Sequence, residues 1–294
     1  RRRRHSPSSL PRVTDAFAPL GSWYFPTIAF LFGACIGSFL NVCVSRWPAD
    51  LSVVKPRSRC PKCGHEIPWY ENIPLVSWVA LRARCSGCGN PISAVYPLLE
   101  LVVALWWLVC VLQWGPSFTA FRVAVFGTVL LGIMITDATD YVIPDGFTVF
   151  GFFFALLAAG VGTLIGETLP FATLYDSIIG ACVGAGAIAI IGWLGELALK
   201  KEAMGFGDVT LMAMVGAYLG PGRTLLTIFI GAFLGAIGFL GVVYPITWIR
   251  CRRAGIPFAP PLVPFGVFLA PAALIALLWG MQMMHWYAHD MLGL

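Results

Sequence analysis

The sequence predicts an all-α protein that crosses a lipid bilayer about eight times and carries one small polar insertion. Of its 294 residues, 59% are hydrophobic and only 11% are charged, whereas soluble globular chains average about 45–50% apolar and about 25% charged residues. The apolar residues fall in runs close to the ~20 residues that a spanning helix needs. This composition excludes a soluble enzyme of this size. It also excludes a disordered chain, which requires low hydrophobicity and high charge.

Eight segments are the predicted spans: residues 22–44, 96–114, 118–137, 147–166, 176–199, 208–220, 223–249 and 262–284. The sixth of them is short. Two spans contain glycines four residues apart, at Gly180 and Gly184 and at Gly231 and Gly235. This spacing lets helix backbones approach closely in lipid. The alternative is that glycine is merely frequent in this chain.

Four regions follow one another along the chain. Residues 1–21 form an Arg-, Ser- and Pro-rich tail that we expect to be disordered, and they precede the first transmembrane helix at 22–44, the polar insertion at 45–95 and a membrane domain at 96–294. Lys and Arg are concentrated in the insertion, and these residues favour the cytoplasmic side of a membrane. The insertion is therefore predicted to face the cytoplasm. The arginines of the tail then lie outside, which is the observation against this orientation.

Two C-x-x-C pairs lie in the polar insertion and predict a metal site. They are Cys60 with Cys63 and Cys85 with Cys88, and each pair is followed by a glycine. Two pairs at this separation fit a tetrahedral zinc site. Four sulfur ligands leave no open coordination position, so the zinc would be structural. The alternatives are a pair of redox-active dithiols or simple structural thiols.

A run of acidic residues follows the third apolar segment. Asp137, Asp140 and Asp145 occur with no Lys or Arg among them, and Pro144 precedes the last acid. Ionisable side chains at membrane depth are costly and are candidates for function. Asp137 is nearest to the apolar segment and is the predicted functional acid. The alternative is a solvated acidic loop, which we expect for Asp140.

A further acid follows two glycines in the segment Gly205-Phe206-Gly207-Asp208. Glycine lets the backbone take unusual dihedral angles and approach a neighbour closely. A lone G-x-G pattern is a weak signal, however. The alternative is that Asp208 serves as the N-cap of the apolar helix that follows it.

Asp137 and Asp208 together indicate an aspartic peptidase. In the predicted topology both lie at cytoplasmic ends of spans, and two neighbouring carboxylates cannot both ionise easily. One carboxylate can then activate water while the protonated one polarises the scissile carbonyl. Because such a pair titrates as a unit, neither role is assigned to one residue. The H-E-x-x-H and G-x-S-x-G patterns of other hydrolases are missing from the sequence.

Two other functions fit parts of the pattern. Intramembrane acids and interrupted helices also occur in proton or cation transporters, but the two halves of the chain show no inverted repeat. The C-x-x-C pairs also occur in thiol oxidoreductases, but their spacing and predicted location favour zinc. We expect no nucleic-acid partner, because the sequence has no basic helix and no aromatic–basic surface.

Further motifs occur in order along the chain. They are Gly37-Ser-Phe-Leu-Asn41, Arg46-Trp-Pro48, Trp69-Tyr-Glu71-Asn72-Ile-Pro74, Tyr96-Pro97-Leu-Leu-Glu100, Ile143-Pro144-Asp145 and Pro264-Phe-Gly266. By these motifs, the two cysteine pairs and the two acids, residues 28–275 resemble the bacterial type IV prepilin peptidases. This family, also called leader peptidase/N-methyltransferase, consists of polytopic aspartic peptidases with a G-x-G-D motif.

The resemblance implies that Asp137 and Asp208 are the catalytic residues. It implies a supporting loop formed by Gly205, Gly207, Pro144 and Asp145. The expected enzyme lies in the bacterial inner membrane and removes the short basic leader of prepilins and pseudopilins at the cytoplasmic face. Its expected partners are these substrates and the lipid bilayer. The acids that we expect to attract the leader are Asp140, Asp145 and Glu202.

The resemblance also implies N-methylation of the new N-terminal residue, with S-adenosylmethionine as the methyl donor. This activity is associated with the insertion at 45–95, where Glu71 and Asn72 are the candidate residues. The alternative is that they form a structural turn. The chain departs from the family pattern at Thr210, where a Lys is usual, and at Val95, where an Arg is frequent.

Overall fold

The computed structural model describes residues 23–200, 204–254 and 264–291. Most of the predicted regions fall within these ranges. Outside the described residues lie the predicted disordered tail, the first residue of the first predicted span, the first two residues of the last one, and Glu202.

Ten α-helices make up most of the described chain, and these residues contain no β-strand beyond isolated bridges. The helices are α1 (Tyr24–Arg46), α2 (Val76–Ala80), α3 (Val95–Trp114), α4 (Phe118–Asp140), α5 (Asp145–Ile165), α6 (Leu174–Leu199), α7 (Phe206–Leu219), α8 (Pro221–Gly238), α9 (Tyr244–Ala254) and α10 (Gly266–Trp286). Short 3₁₀ helices lie at Trp47–Ala49 and Trp69–Asn72. Short π-helices lie at Phe239–Val243 and Tyr287–Met291.

Among the described residues, seven spans are long and apolar enough to cross a membrane. They are Tyr24–Ala49, Val95–Trp114, Phe118–Asp140, Asp145–Ile165, Leu174–Ala198, Pro221–Arg253 and Gly266–Met291. The prediction of an all-α polytopic membrane protein is confirmed. The short sixth segment forms α7, an apolar helix of 14 residues that is not among these seven.

The described chain contains two compact units. In the first, made of residues 23–38 and 68–124, α1 packs closely against α3. A Cβ added to Gly33 would lie 2.8 Å from the Cβ of Trp107, and one added to Gly37 would lie 2.7 Å from the Cα of Glu100. The two glycines therefore let these helix backbones approach each other.

In the second unit, residues 39–67 and the described residues from 125 onward, α7 is the central helix. It packs against α5, α6, α8 and α10. Eight of its residues are buried, from Leu211 to Leu219 with only Ala213 excepted. A helix that is apolar on every face belongs in a protein interior, which is where α7 lies.

Glycines set the distance between α6 and α7. A Cβ on Gly180 would lie 2.2 Å from the carbonyl oxygen of Gly216, and one on Gly184 would lie 2.0 Å from that of Met212. The predicted packing role of Gly180 and Gly184 is therefore confirmed. At its far end α7 turns into α8 through Gly220, whose φ of 78° favours glycine.

Candidate active site

Asp137 lies in the last turn of α4, in a buried position. Its exposed fraction is 6%. The preceding Thr136 is fully buried, and its hydroxyl donates to the backbone carbonyls of Gly132 and Ile133 within its own helix. The sequence brings a carboxylate into apolar surroundings here, and such a group needs polar partners.

The partners of Asp137 are backbone amides at the start of α10. The Val267 N–H donates to Oδ2 of Asp137 at 3.0 Å, and the backbone of Gly266 forms a second hydrogen bond with the carboxylate. A Cβ added to Gly266 would lie 2.8 Å from the same oxygen. Glycine at this position therefore leaves the space that the carboxylate occupies.

Asp208 lies in the first turn of α7. The N-cap position belongs to Gly205, and the backbone N–H of Asp208 donates to the Gly205 carbonyl at 3.1 Å. The alternative that Asp208 is the N-cap is therefore wrong. The side chain is half-buried, and the charge of Asp137 acts on it directly. The fold thus brings the two predicted acids together.

Ile143 connects the segments that carry the two acids. A Cβ added to Gly207 would lie 2.9 Å from the Cβ of Ile143, and one added to Gly266 would lie 3.1 Å from its Cδ1. The two glycines of the G-x-G-D segment therefore differ in the space around them. Gly207 packs against Ile143, whereas the nearest atom to a Cβ on Gly205 would be Oδ2 of Asp208 at 3.9 Å.

The remaining residues of the predicted loop lie between α4 and α5. Pro144 is buried at the N-cap of α5, and Asp145 is exposed in its first turn. Asp140 is also exposed, and its carboxylate accepts a hydrogen bond from the Thr139 hydroxyl at 2.6 Å. The exposure of Asp140 agrees with the expectation of a solvated loop residue. Thr210 donates to the Gly207 carbonyl at 3.0 Å within α7.

The two cysteine pairs form the same kind of turn. In the first pair the Cys60 N–H donates to the His65 carbonyl and the Gly64 N–H donates to the Cys60 carbonyl, each at 2.9 Å. The second pair repeats this pattern, also at 2.9 Å: Cys85 donates to Asn90, and Gly89 donates to Cys85. Gly64 and Gly89 have φ angles of 74° and 69°, a region that favours glycine.

The four sulfur atoms form a cluster that can hold a metal ion. The Sγ atoms of Cys60, Cys63, Cys85 and Cys88 all lie within 4.8 Å of one another. Four thiolates bound to zinc at about 2.3 Å are about 3.8 Å apart. The donor set and its separations therefore fit a tetrahedral metal site.

Glu71 and Asn72 lie in the tight helical turn Trp69–Asn72. The Glu71 carboxylate accepts a hydrogen bond at 2.8 Å from the hydroxyl of Ser86, which lies between two of the cysteines. Asn72 is exposed. A buried carboxylate fixes the same loop, because Oε2 of Glu100 accepts from the Leu75 N–H at 2.8 Å. Val95 is exposed at the start of α3.

Sequence reasoning gave no role to Gly266, Val267 or Ile143. Gly266 and Ile143 were visible only as parts of the motifs Pro264-Phe-Gly266 and Ile143-Pro144-Asp145. The hydrogen bond from Val267 to Asp137 spans 130 residues, so no local pattern predicts it. The position of Gly266 beside Asp137 is visible only in the structure.

Family models match two parts of the chain. Residues 31–114 match the bacterial peptidase A24 N-terminal domain, and residues 124–240 match the type IV leader peptidase family. No solved structure matches the chain.

Curated relatives named prepilin leader peptidase/N-methyltransferase cover most of the chain. The Aeromonas hydrophila protein is 35% identical over 92% of this chain and 96% of its own length. The Pseudomonas aeruginosa protein is 37% identical over 90% of this chain and 93% of its own length. The Myxococcus xanthus protein is 41% identical over 72% of this chain, and the match spans 59% of that protein.

These comparisons confirm the family, the enzyme class and the multi-pass membrane character that the sequence predicts. Nothing in them favours a transporter or a thiol oxidoreductase. The chain belongs to the type IV leader peptidase family.

Proposed function

We propose that this chain is an inner-membrane endopeptidase that removes the short basic leader from type IV prepilins and pseudopilins. It then N-methylates the new N-terminal residue. The observation that carries the peptidase function is the pair of Asp137 and Asp208, two carboxylates from different helices that interact with each other. The names and coverage of the relatives support the same activity.

In the proposed reaction the pair holds one proton. The ionised carboxylate takes a proton from water as the water oxygen attacks the scissile carbonyl carbon, and the protonated carboxyl gives its proton to the carbonyl oxygen. Collapse of the resulting gem-diol breaks the C–N bond. The amine leaves with the proton taken from water, and a gem-diol hydroxyl returns a proton to the other carboxylate. The pair ends in its starting state.

The distribution of Lys and Arg residues indicates which side of the membrane each loop faces. With the Lys- and Arg-rich insertion in the cytoplasm, the cysteine cluster and both catalytic aspartates face that side. The basic leader of a prepilin lies there too. Asp140 and Asp145 are exposed next to the catalytic segment, and they attract the leader by charge complementarity.

The four clustered cysteines hold one structural Zn²⁺ in this proposal. All four thiolates of Cys60, Cys63, Cys85 and Cys88 would be ligands, which leaves no position for a catalytic water. The separation of the sulfur atoms supports this assignment. The zinc therefore stabilises the turns that carry the cysteines.

S-adenosylmethionine supplies the methyl group for the second activity. Glu71 and Asn72 are the residues of this chain that we assign to it. The Glu71 carboxylate is held by Ser86, so it can orient and accept a proton from the amine that is to be methylated. Glu71→Gln should slow methylation of a pre-cleaved pilin and leave cleavage of a prepilin unchanged. Equal losses in both activities would indicate a structural turn instead.

A cleavage assay tests the peptidase. The purified protein in detergent or lipid is incubated with a prepilin, and the Asp137→Asn and Asp208→Asn variants are compared with wild type. We expect both variants to lose at least ~10³-fold in rate, because each removes a proton-transfer group. Asp290→Asn, at an exposed acid, is the matched control. The peptidase claim is falsified if either catalytic variant cleaves at the wild-type rate.

A further inference from the structure

The two carboxylates of the pair have unequal surroundings. Asp137 receives two backbone hydrogen bonds from α10, one of them from Val267 at 3.0 Å. Asp208 receives one, from Gly205 at the N-cap of its own helix. A hydrogen bond to the charged form of a carboxylate favours that form. The difference therefore bears on which of the two acids is ionised.

The start of α10 supplies both amides that donate to Asp137. Gly266 and Val267 are the first two residues of a helix of 21 residues, and their N–H groups have no partner within that helix. The N-terminus of a helix carries a partial positive charge that favours a nearby anion. The Asp137 carboxylate lies against this end, while the same carboxylate acts as a negative charge on Asp208.

Asp208 also lies in the first turn of a helix, α7, so the two acids differ in the number of amides that donate to each carboxylate and in the helix that supplies them. Ile143 packs beside both acid-bearing segments and is apolar. Asp140, the nearest further acid on α4, is exposed. Within the described ranges, the charged group that acts on Asp208 is therefore Asp137.

We propose that the first two amides of α10 fix the roles within the pair: Asp137 is the ionised carboxylate that takes the proton from water, and Asp208 holds the shared proton. Gly266 and Val267 are then positioning residues, because they act on the reaction through Asp137. This inference rests on the proposed peptidase function. It assigns each proton transfer to one residue: Asp137 takes a proton from water, and Asp208 gives a proton to the carbonyl oxygen.

A Pro substitution at Val267 removes the donor N–H. Proline is tolerated in the first turn of a helix, where the N–H has no helical partner. Val267→Ala, which keeps the N–H, is the matched control. The measurement is kcat/KM for prepilin cleavage as a function of pH. We expect the acid limb of Val267→Pro to lie about one pH unit above that of Val267→Ala, with the alkaline limb unchanged.

Each other result overturns the proposal in a distinct way. An upward shift of the alkaline limb alone assigns Asp208 as the base. Coincident profiles for the two Val267 variants show that the amide does not affect the pair. In both cases the inactivity of Asp137→Asn and Asp208→Asn keeps the peptidase function intact. Normal cleavage by those two variants would remove the peptidase function itself.

A second variant covers the case in which Val267→Pro does not fold. Gly266→Ala keeps both N–H groups but places a Cβ 2.8 Å from Oδ2 of Asp137, which moves the carboxylate away from the amides. Gly160→Ala, a helical glycine with open space around its Cβ, is the control. We expect an upward shift of the acid limb for Gly266→Ala only. Methylation of a pre-cleaved pilin verifies that each variant is folded, and an unchanged acid limb in folded Gly266→Ala contradicts the proposal.

Discussion

Gly180 of α6 and Gly216 of α7 lie in direct backbone contact: a Cβ added to Gly216 would be 2.0 Å from the carbonyl oxygen of Gly180. No side chain larger than hydrogen fits between them. Because α7 carries Asp208 in its first turn, the contact also sets the position of that acid.

The Gly216→Ala variant should therefore lose both stability and activity. An added methyl group in a well-packed interior costs about 1–3 kcal/mol, and the separation of α6 from α7 moves Asp208. Thermal unfolding in detergent and prepilin cleavage measure the two effects. Gly186→Ala is the control, because no atom lies within 4 Å of its Cβ. Equal stability of the two variants would contradict the packing described here.

The two glycines of the G-x-G-D segment should respond differently to alanine. Gly207→Ala places a Cβ 2.9 Å from that of Ile143, so we expect cleavage to fall by at least ~10-fold. Gly205 has an extended backbone and open space, so Gly205→Ala should cost only the difference in N-cap preference, about 0.5–1 kcal/mol. The initial rates of cleavage by the two variants decide this. Similar rates would mean that the contact with Ile143 has no effect.

Each cysteine of the cluster should be needed for bound metal. We expect purified wild-type protein to contain about one zinc per chain, and Cys60→Ser or Cys85→Ser to lose it. Cys182→Ser, at an exposed cysteine in α6, should retain it. Elemental analysis measures the zinc content. Full zinc in either cluster variant would remove the metal site.

The acids that we expect to attract the leader should affect substrate binding more than turnover. Replacement of Asp140 and Asp145 by Asn, together with Glu202→Gln, should raise KM several-fold with little change in kcat. The effect should shrink at high ionic strength, because salt screens exposed charges. A prepilin whose leader lacks basic residues is the control substrate, and its KM should not change. An unchanged KM for the normal leader would remove this role.

Local patterns predicted the parts of the protein that depend on neighbouring residues. The seven long spans follow from hydropathy, since a helix in lipid satisfies its own backbone hydrogen bonds. The cysteine turns follow from spacing, because each is closed by hydrogen bonds within six residues. Both catalytic candidates were also predicted, from an acid at the end of an apolar segment and an acid after two glycines.

Contacts between distant segments were not predictable in the same way. The hydrogen bond from Val267 to Asp137 depends on how α10 packs against α4. The alternative that Asp208 caps α7 was reasonable from sequence, since Asp is a common N-cap residue. In the structure Gly205 is the N-cap instead, and the Asp208 carboxylate interacts with Asp137.

The short length of α7 has a consequence for the depth of the reaction. Asp208 lies eleven residues before Leu219, the last residue of α7, which corresponds to about 17 Å along the helix axis. The hydrocarbon layer is about 30 Å thick, and α8 starts its crossing immediately beyond Gly220. α7 therefore does not span the layer, and the depth of the pair is set by Asp137, which lies three residues, or about 4.5 Å, before the end of α4 at Asp140. We therefore expect a substrate to present its scissile bond close to the membrane surface at which α4 ends.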